Sequence, residues 1–172
     1  MPESSITIRQ ALPEDGPTIL RLIEALADFE QLPPPDEAAQ KRLLADAFGS
    51  RPRFEVFLAH VRTQEAETED VAGYAFIFET YSTFLARPTL YLEDIFVLSQ
   101  YRGRKVGLAL FRYCVEQAHQ RGCGRMDWTV LDWNEHAIRF YQQQGAHHLD
   151  EWQLYRLTQP DFDRLLENQV AT

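Results

Sequence analysis

The chain has little cysteine, and its two thiols, Cys114 and Cys123, stand nine residues apart. That spacing gives neither a disulfide framework nor a zinc site. No apolar run approaches the roughly 20 residues needed to cross a bilayer. Met1-Pro2-Glu3-Ser4 lacks the basic and apolar regions of a signal peptide. Positive charge is the scarcer sign, with 17 Lys and Arg against 26 Asp and Glu and a net charge of -9. Binding to a phosphate backbone draws on clustered positive charge, so nucleic acid is not expected as a partner. None of the five histidines falls in a metal-ligand spacing such as HExxH, so no metal is expected. These absences predict a cytoplasmic protein with no membrane, nucleic-acid or metal partner. The acidic field either serves solubility alone or raises the local concentration of a cationic ligand.

What is present fits one folded domain over residues 1–172. Hydrophobic residues make up 45% of the chain, enough for one sizeable core. Ile6-Thr7-Ile8-Arg9 alternates as a first strand. Glu14-Asp15 leads a helix with the stripe Ile19, Leu22, Ile23 and Leu26, and Pro33-Pro34-Pro35 breaks the chain. A second helix runs from about Asp36 to Phe48 and stops at Gly49. Phe54 to Val61, Val71 to Thr80 and Thr89 to Leu98 read as strands, the last two joined through a Pro88-containing connection. Arg62 to Asp70 is a polar, acidic turn. A helix with the stripe Val106, Leu110, Cys114 and Ala118 follows and ends near Gly122, and Cys114 on that stripe reads as core. Met126 to Leu131 is a strand, Glu135 to Gln144 a helix closed by Gly145, Trp152 to Leu157 a last strand, and Asp161 to Glu167 a short helix. The pattern predicts a mixed α/β (α+β) fold with helices packed on a central sheet.

Two constellations carry chemistry. Arg102-Gly103-Arg104-Lys105-Val106-Gly107 leads from a strand into a helix. Glycine lets backbone approach a ligand closely, and unpaired N–H groups with the helix dipole favour an anion such as a pyrophosphate. The same pattern also suits a plain turn, and neither the Walker nor the dinucleotide glycine spacing is present. Further on lie Asn134, Ala137, Tyr141 and Gly145. Asn134 sits at an N-cap position, Tyr141 two turns along on nearly the same face, and Ala137 leaves room between them. A capped helix with a core tyrosine fits these residues equally well.

Together, in this order, the two constellations resemble the GNAT superfamily of N-acetyltransferases, over nearly the whole chain. Within it the chain looks like the diamine (spermidine/spermine) acetyltransferases. That resemblance rests on Ile23-Glu24-Ala25-Leu26-Ala27-Asp28-Phe29-Glu30, Leu90-Tyr91-Leu92-Glu93-Asp94-Ile95-Phe96-Val97, Tyr101-Arg102-Gly103 and Trp133-Asn134-Glu135. It implies a mostly antiparallel central sheet, acetyl-CoA as co-substrate and a homodimer.

The resemblance also implies roles. The backbone of Ile95, Phe96 and Val97 would pair with the pantetheine arm and polarise the thioester. Arg102, Gly103, Arg104, Lys105, Val106, Gly107 and Leu108 would cradle the pyrophosphate. Asn134 and Ala137 would contact the cofactor, with Tyr141 beside its sulfur. Glu30, Glu93, Asp94 and Trp152 would line the acceptor site. One departure stands out: Lys105 replaces the middle glycine of the family's Arg-Gly-x-Gly-x-Gly. It fits if its backbone is helical or nearly so, and it then either adds a phosphate contact or weakens cofactor binding.

Alkyl amines have a pKa of roughly 10, so the acceptor arrives charged and must lose a proton. Glu30 or Glu93 would accept it, the Phe96 N–H would steady the oxyanion, and Tyr141 would protonate the leaving thiolate in a direct transfer. Glu93 and Asp94 are costly to bury in an apolar strand. Either one faces the site and the other an ion pair, or a bulge turns both to one cleft. Glu30 is otherwise an exposed helix-end acid, and Trp152 otherwise a core aromatic. The expected acceptor is a small cationic amine, a diamine or polyamine, with a lysine-like amino acid such as thialysine as the alternative. A non-catalytic acyl-CoA-binding module is the competing class.

Overall fold

The computed structural model describes residues 5–62 and 69–167. They fall into two compact units, Met1–Thr129 and Val130–Thr172. The first unit holds strands β1 (Ser5–Gln10), β2 (Glu55–Arg62), β3 (Glu69–Ser82), β4 (Arg87–Val97) and β5 (Arg125–Trp128), and helices α1 (Gly16–Glu30), α2 (Glu37–Phe48) and α3 (Val106–Gln120). The second holds α4 (Glu135–Gln143) and α5 (Gln159–Glu167).

The sheet runs in the order β1-β2-β3-β4-β5. Its first three pairings are antiparallel and β4 with β5 is parallel, which is the mixed, mostly antiparallel sheet expected. The hairpin β3–β4 turns at residues 83–86. Pro88 is therefore not in the connection, as the sequence suggested, but inside β4 opposite Tyr81. Proline lacks an N–H and suits a strand's first residues; here it precedes the β5 pairing, and its carbonyl accepts from the Gly124 N–H at 2.9 Å.

Helices cover both faces of this sheet. Ile19 and Leu22 of α1 pack with Val56, Leu58, Tyr74, Phe76 and Phe96, and Ile23 and Leu26 border the same cluster. Val106, Leu110, Cys114 and Ala118 of α3 are buried as their spacing foretold. The Phe57 and Tyr113 rings meet at 4.8 Å, and Phe111 meets Trp128 edge-on at 5.6 Å. Burial on both sides explains why Val56 to Ala59 is continuously apolar. Asp36 caps α2 by accepting from the Ala39 N–H. Gln31, left-handed at φ 58°, closes α1, and the prolines follow.

Three sequence expectations need amendment. The strand read over Met126 to Leu131 is shorter and ends at Trp128. Trp152 to Leu157 is not a strand, since the sheet consists of β1 to β5 alone among the described residues. Trp152, Leu154 and Tyr155 are exposed, so the alternation there has no ladder partner to reward it. The acidic turn expected between Arg62 and Asp70 lies largely outside the described residues, while Glu69 and Asp70 belong to β3.

Candidate active site

The site begins where β4 loses a neighbour. β4 pairs with β3 from Arg87 to Val97, but with β5 only from Thr89 to Leu92. From Glu93 onward its outer edge carries no strand among the described residues, leaving alternate N–H and C=O groups for a ligand. The Leu98 N–H donates to the Ala72 carbonyl at 2.9 Å. Strand alternation then turns Phe96 toward β3, and Ile95 and Val97 outward. The Phe96 amide, expected to steady the oxyanion, thus faces into the ladder. The β3 backbone lies close enough there that a side chain on Gly73 would collide with the Phe96 carbonyl and meet the Val97 Cα at 3.1 Å.

A bulge sits just before this stretch. Phe76 pairs with Asp94 and the next residue, Ile77, with Leu92, so Glu93 is the extra residue. Without it Leu92 and Asp94 would share a face. With it Leu92 stays opposite the buried Ile77, and Asp94 joins Tyr74, Phe76 and Phe96 on the α1 side. The Tyr74 hydroxyl lies 3.5 Å from Asp94 Oδ2. Burial above all, then the charges of Glu93 and Glu30, pushes the Asp94 carboxyl up to about 6. Glu30, the last residue of α1, is half-buried rather than a fully exposed helix-end acid, and burial raises its carboxyl as well.

Elsewhere carboxylates find cations. Asp15 binds Arg9 through both oxygens, Glu55 binds Arg121, and Glu135 binds Arg139. No ion pair among the described residues engages Glu30, Glu93 or Asp94. Three neighbouring carboxylates without a cation suit a positively charged ligand.

The basic loop is pinned at both ends. Arg102 Nε donates to the Val97 carbonyl at 3.0 Å, and its guanidinium lies 4.7 Å from the Phe29 ring centre and 5.6 Å from that of Phe96. Arg104 lies over Tyr101, whose hydroxyl donates to Asp70 at 2.8 Å. Lys105 overturns the expectation of a helical backbone: it is left-handed, with φ 66°. The family's glycine position therefore demands a conformation that costs an L-residue about 1–2 kcal/mol. No side chain caps α3 at Lys105, in contrast to α2 and α4. Its first-turn N–H groups and the exposed Arg104 and Lys105 make an anion seat. A Cβ on Gly107 would have only the Val97 side chain at 3.7 Å nearby, so the room in front of this turn is open. These features fit the pyrophosphate of coenzyme A.

In the second unit Asn134 caps α4, accepting from the Ala137 N–H at 3.2 Å. Tyr141 is buried on the same helix, and Gly145 follows at φ 85°. Trp152 is exposed rather than a core aromatic. Cys114 is fully buried, with its thiol pushed up to about 12, which removes it as a nucleophile. No group of three His, Cys, Asp or Glu side chains converges as a metal site among the described residues. A separate hollow of about 440 Å³ opens between Ala47, Phe54, Glu79 and Arg121, and none of the expected site residues lines it. Sequence reasoning passed over Tyr74 and Gly73. Their only signal was one hydroxyl and one glycine inside the apolar run Val71 to Phe78.

Comparison with known proteins gives the family. Over 150 residues the chain is 37% identical to the thialysine N-epsilon-acetyltransferase of Mus musculus, covering 86% of this chain and 88% of that protein. It is 34% identical to the L-ornithine N5-acetyltransferase NATA1 of Arabidopsis thaliana, covering 92% and 90%. It is 32% identical to the spermidine/spermine N(1)-acetyltransferase-like protein 1 of Homo sapiens, over 90% of this chain and 23% of that longer protein. An integron cassette protein from V. cholerae shares the fold at TM-score 0.77 and 23% identity, over 95% of this chain and 98% of its own. The acetyltransferase (GNAT) family matches residues 20–146. The chain belongs to that family and is an acetyl-CoA-dependent N-acetyltransferase.

Proposed function

We propose that this enzyme acetylates a primary amine of a small substrate carrying a second positive charge, a diamine or polyamine. The observation that carries this reading is the cluster of Glu30, Glu93 and Asp94, three carboxylates with no cation among the described residues. Acetyl-CoA supplies the activated thioester. The first turn of α3, with Arg104 and Lys105, holds its pyrophosphate. The outward backbone of Ile95 and Val97 holds the pantetheine arm, and the outward Ile95 N–H, in place of Phe96, donates to the carbonyl oxygen as it becomes negative. A carboxylate of the cluster takes the proton that the ammonium must lose before its nitrogen can attack. Asn134 and Ala137 contact the coenzyme. Tyr141 returns a proton to the departing thiolate, and Trp152 closes over the acceptor's alkyl chain. The enzyme works as a homodimer, which sedimentation of the pure protein tests.

A lysine-like amino acid is the second reading. Relatives named for thialysine and ornithine favour it. So does the Arg102 guanidinium beside Phe96, two residues along the strand from Asp94, where a substrate carboxylate would find a cation. Coenzyme A release with spermidine, putrescine, thialysine, lysine and a peptide separates the readings. Turnover confined to the peptide would refute both.

A further inference from the structure

Tyr74 takes part in no step described so far, yet its setting is specific. Its side chain is fully buried at the centre of β3. Its ring meets Phe76 edge-on at 5.3 Å and Phe96 at 6.3 Å, so the phenol cannot swing away. A buried hydroxyl needs a partner. Among the described residues the one it has is Asp94 Oδ2, at 3.5 Å. No hydrogen bond among them engages Asp94 Oδ1. The bulge at Glu93 and the clamped phenol therefore fix one oxygen of this carboxylate and leave the other open.

We propose that Tyr74 is a positioning residue for catalysis, orienting Asp94 so that its open oxygen accepts the proton of the attacking amine. This rests on the amine-acetyltransferase reading above and assigns its proton acceptor, which the sequence had placed at Glu30 or Glu93. The ammonium N–H bond breaks, the nitrogen keeps its electron pair for attack, and the proton comes to rest on Asp94. The charged and titratable groups facing Asp94 are Glu93 on its own strand, Glu30 from α1 and Tyr74 from β3. Burial and the two glutamates favour its protonated form, and the phenol's hydrogen bond opposes them. Removing the phenol hydroxyl therefore raises the proton affinity of Asp94, and the enzyme loses its acceptor at a higher pH than before.

The test is the pH profile of kcat at saturating acetyl-CoA and amine, for the wild type and Tyr74→Phe, which keeps the ring. The acid limb of the variant should move up by about half to one pH unit. At pH 6 its kcat should fall about 2- to 5-fold and recover by pH 9, with the KM for acetyl-CoA unchanged. Coincident acid limbs, or a loss equal at every pH, would overturn the proposal whatever happens to the Tm. Should Tyr74→Phe not fold, Asp94→Asn with Tyr74 intact decides instead: an acid limb like that of the wild type would remove Asp94 as the acceptor. A wild type that turns over no amine at all fails at the earlier step and refutes the substrate reading itself.

Discussion

Two residues, Asp94 and Lys105, carry costs that the proposed function explains. Asp94 is half-buried beside Glu93 and Glu30, with a carboxyl near 6 instead of the ordinary 3.8. A folded-state value raised above the unfolded one adds stability at low pH, and that stability is lost as pH rises through about 6. Asp94→Asn should therefore raise the Tm by about 4 °C at pH 8 and leave it unchanged near pH 4, while acetylation falls at pH 8. Calorimetry at the two pH values checks this. Lys105 holds a left-handed backbone at φ 66°. Lys105→Gly should relieve about 1 kcal/mol net of glycine's extra chain entropy, raising the Tm by a few degrees. Lys105→Ala keeps the strained backbone and should not raise it. Both should increase the KM for acetyl-CoA about threefold, less at high salt, if the ammonium reaches a phosphate. Tyr141→Phe should lower kcat about 10- to 100-fold, with acetyl-CoA affinity within a factor of two. Unchanged turnover would remove its role as proton donor.

At the level of elements, the end of β4 is set by its neighbours as much as by its own sequence. Gly73 lets β3 approach so closely that a methyl group there would strike the Phe96 carbonyl. Both contacts are backbone, so Gly73→Ala should cost about 2 kcal/mol and shift the Ile95 and Val97 amides. Chemical denaturation and the KM for acetyl-CoA should move together. The helices were legible because their signals are local. The α1 and α3 stripes, the Asn134 cap and the Pro33-Pro34-Pro35 break all lie within a turn or two of what they specify. The bulge was legible only as one of two alternatives at Glu93-Asp94, because pairing register is decided by β3. Tyr74 was not legible as a partner of Asp94, since twenty residues separate them and only the hairpin joins them. Trp152 to Leu157 misled for the converse reason: alternation marks strand propensity but does not supply a neighbouring strand.

Over the whole molecule, an acidic protein of net charge -9 keeps three neighbouring carboxylates without a cation among the described residues and gathers Arg102, Arg104 and Lys105 in one loop. That separation suits two ligands of opposite charge, a coenzyme pyrophosphate and a cationic amine. The acetyl-CoA donor was readable through the family resemblance that the glycine loop and the Asn134-to-Tyr141 stretch carry. The proposed acceptor is a charge class and no more, because length and end-group chemistry are not encoded in three carboxylates. The most direct test is the kcat/KM for coenzyme A release with putrescine and lysine, each compared with pentylamine, which lacks a second charge. The expected result is a preference of about tenfold or more for at least one doubly charged amine, shrinking as salt is raised. Equal kcat/KM for pentylamine at low salt would contradict the assignment of Glu30, Glu93 and Asp94 to a cationic acceptor.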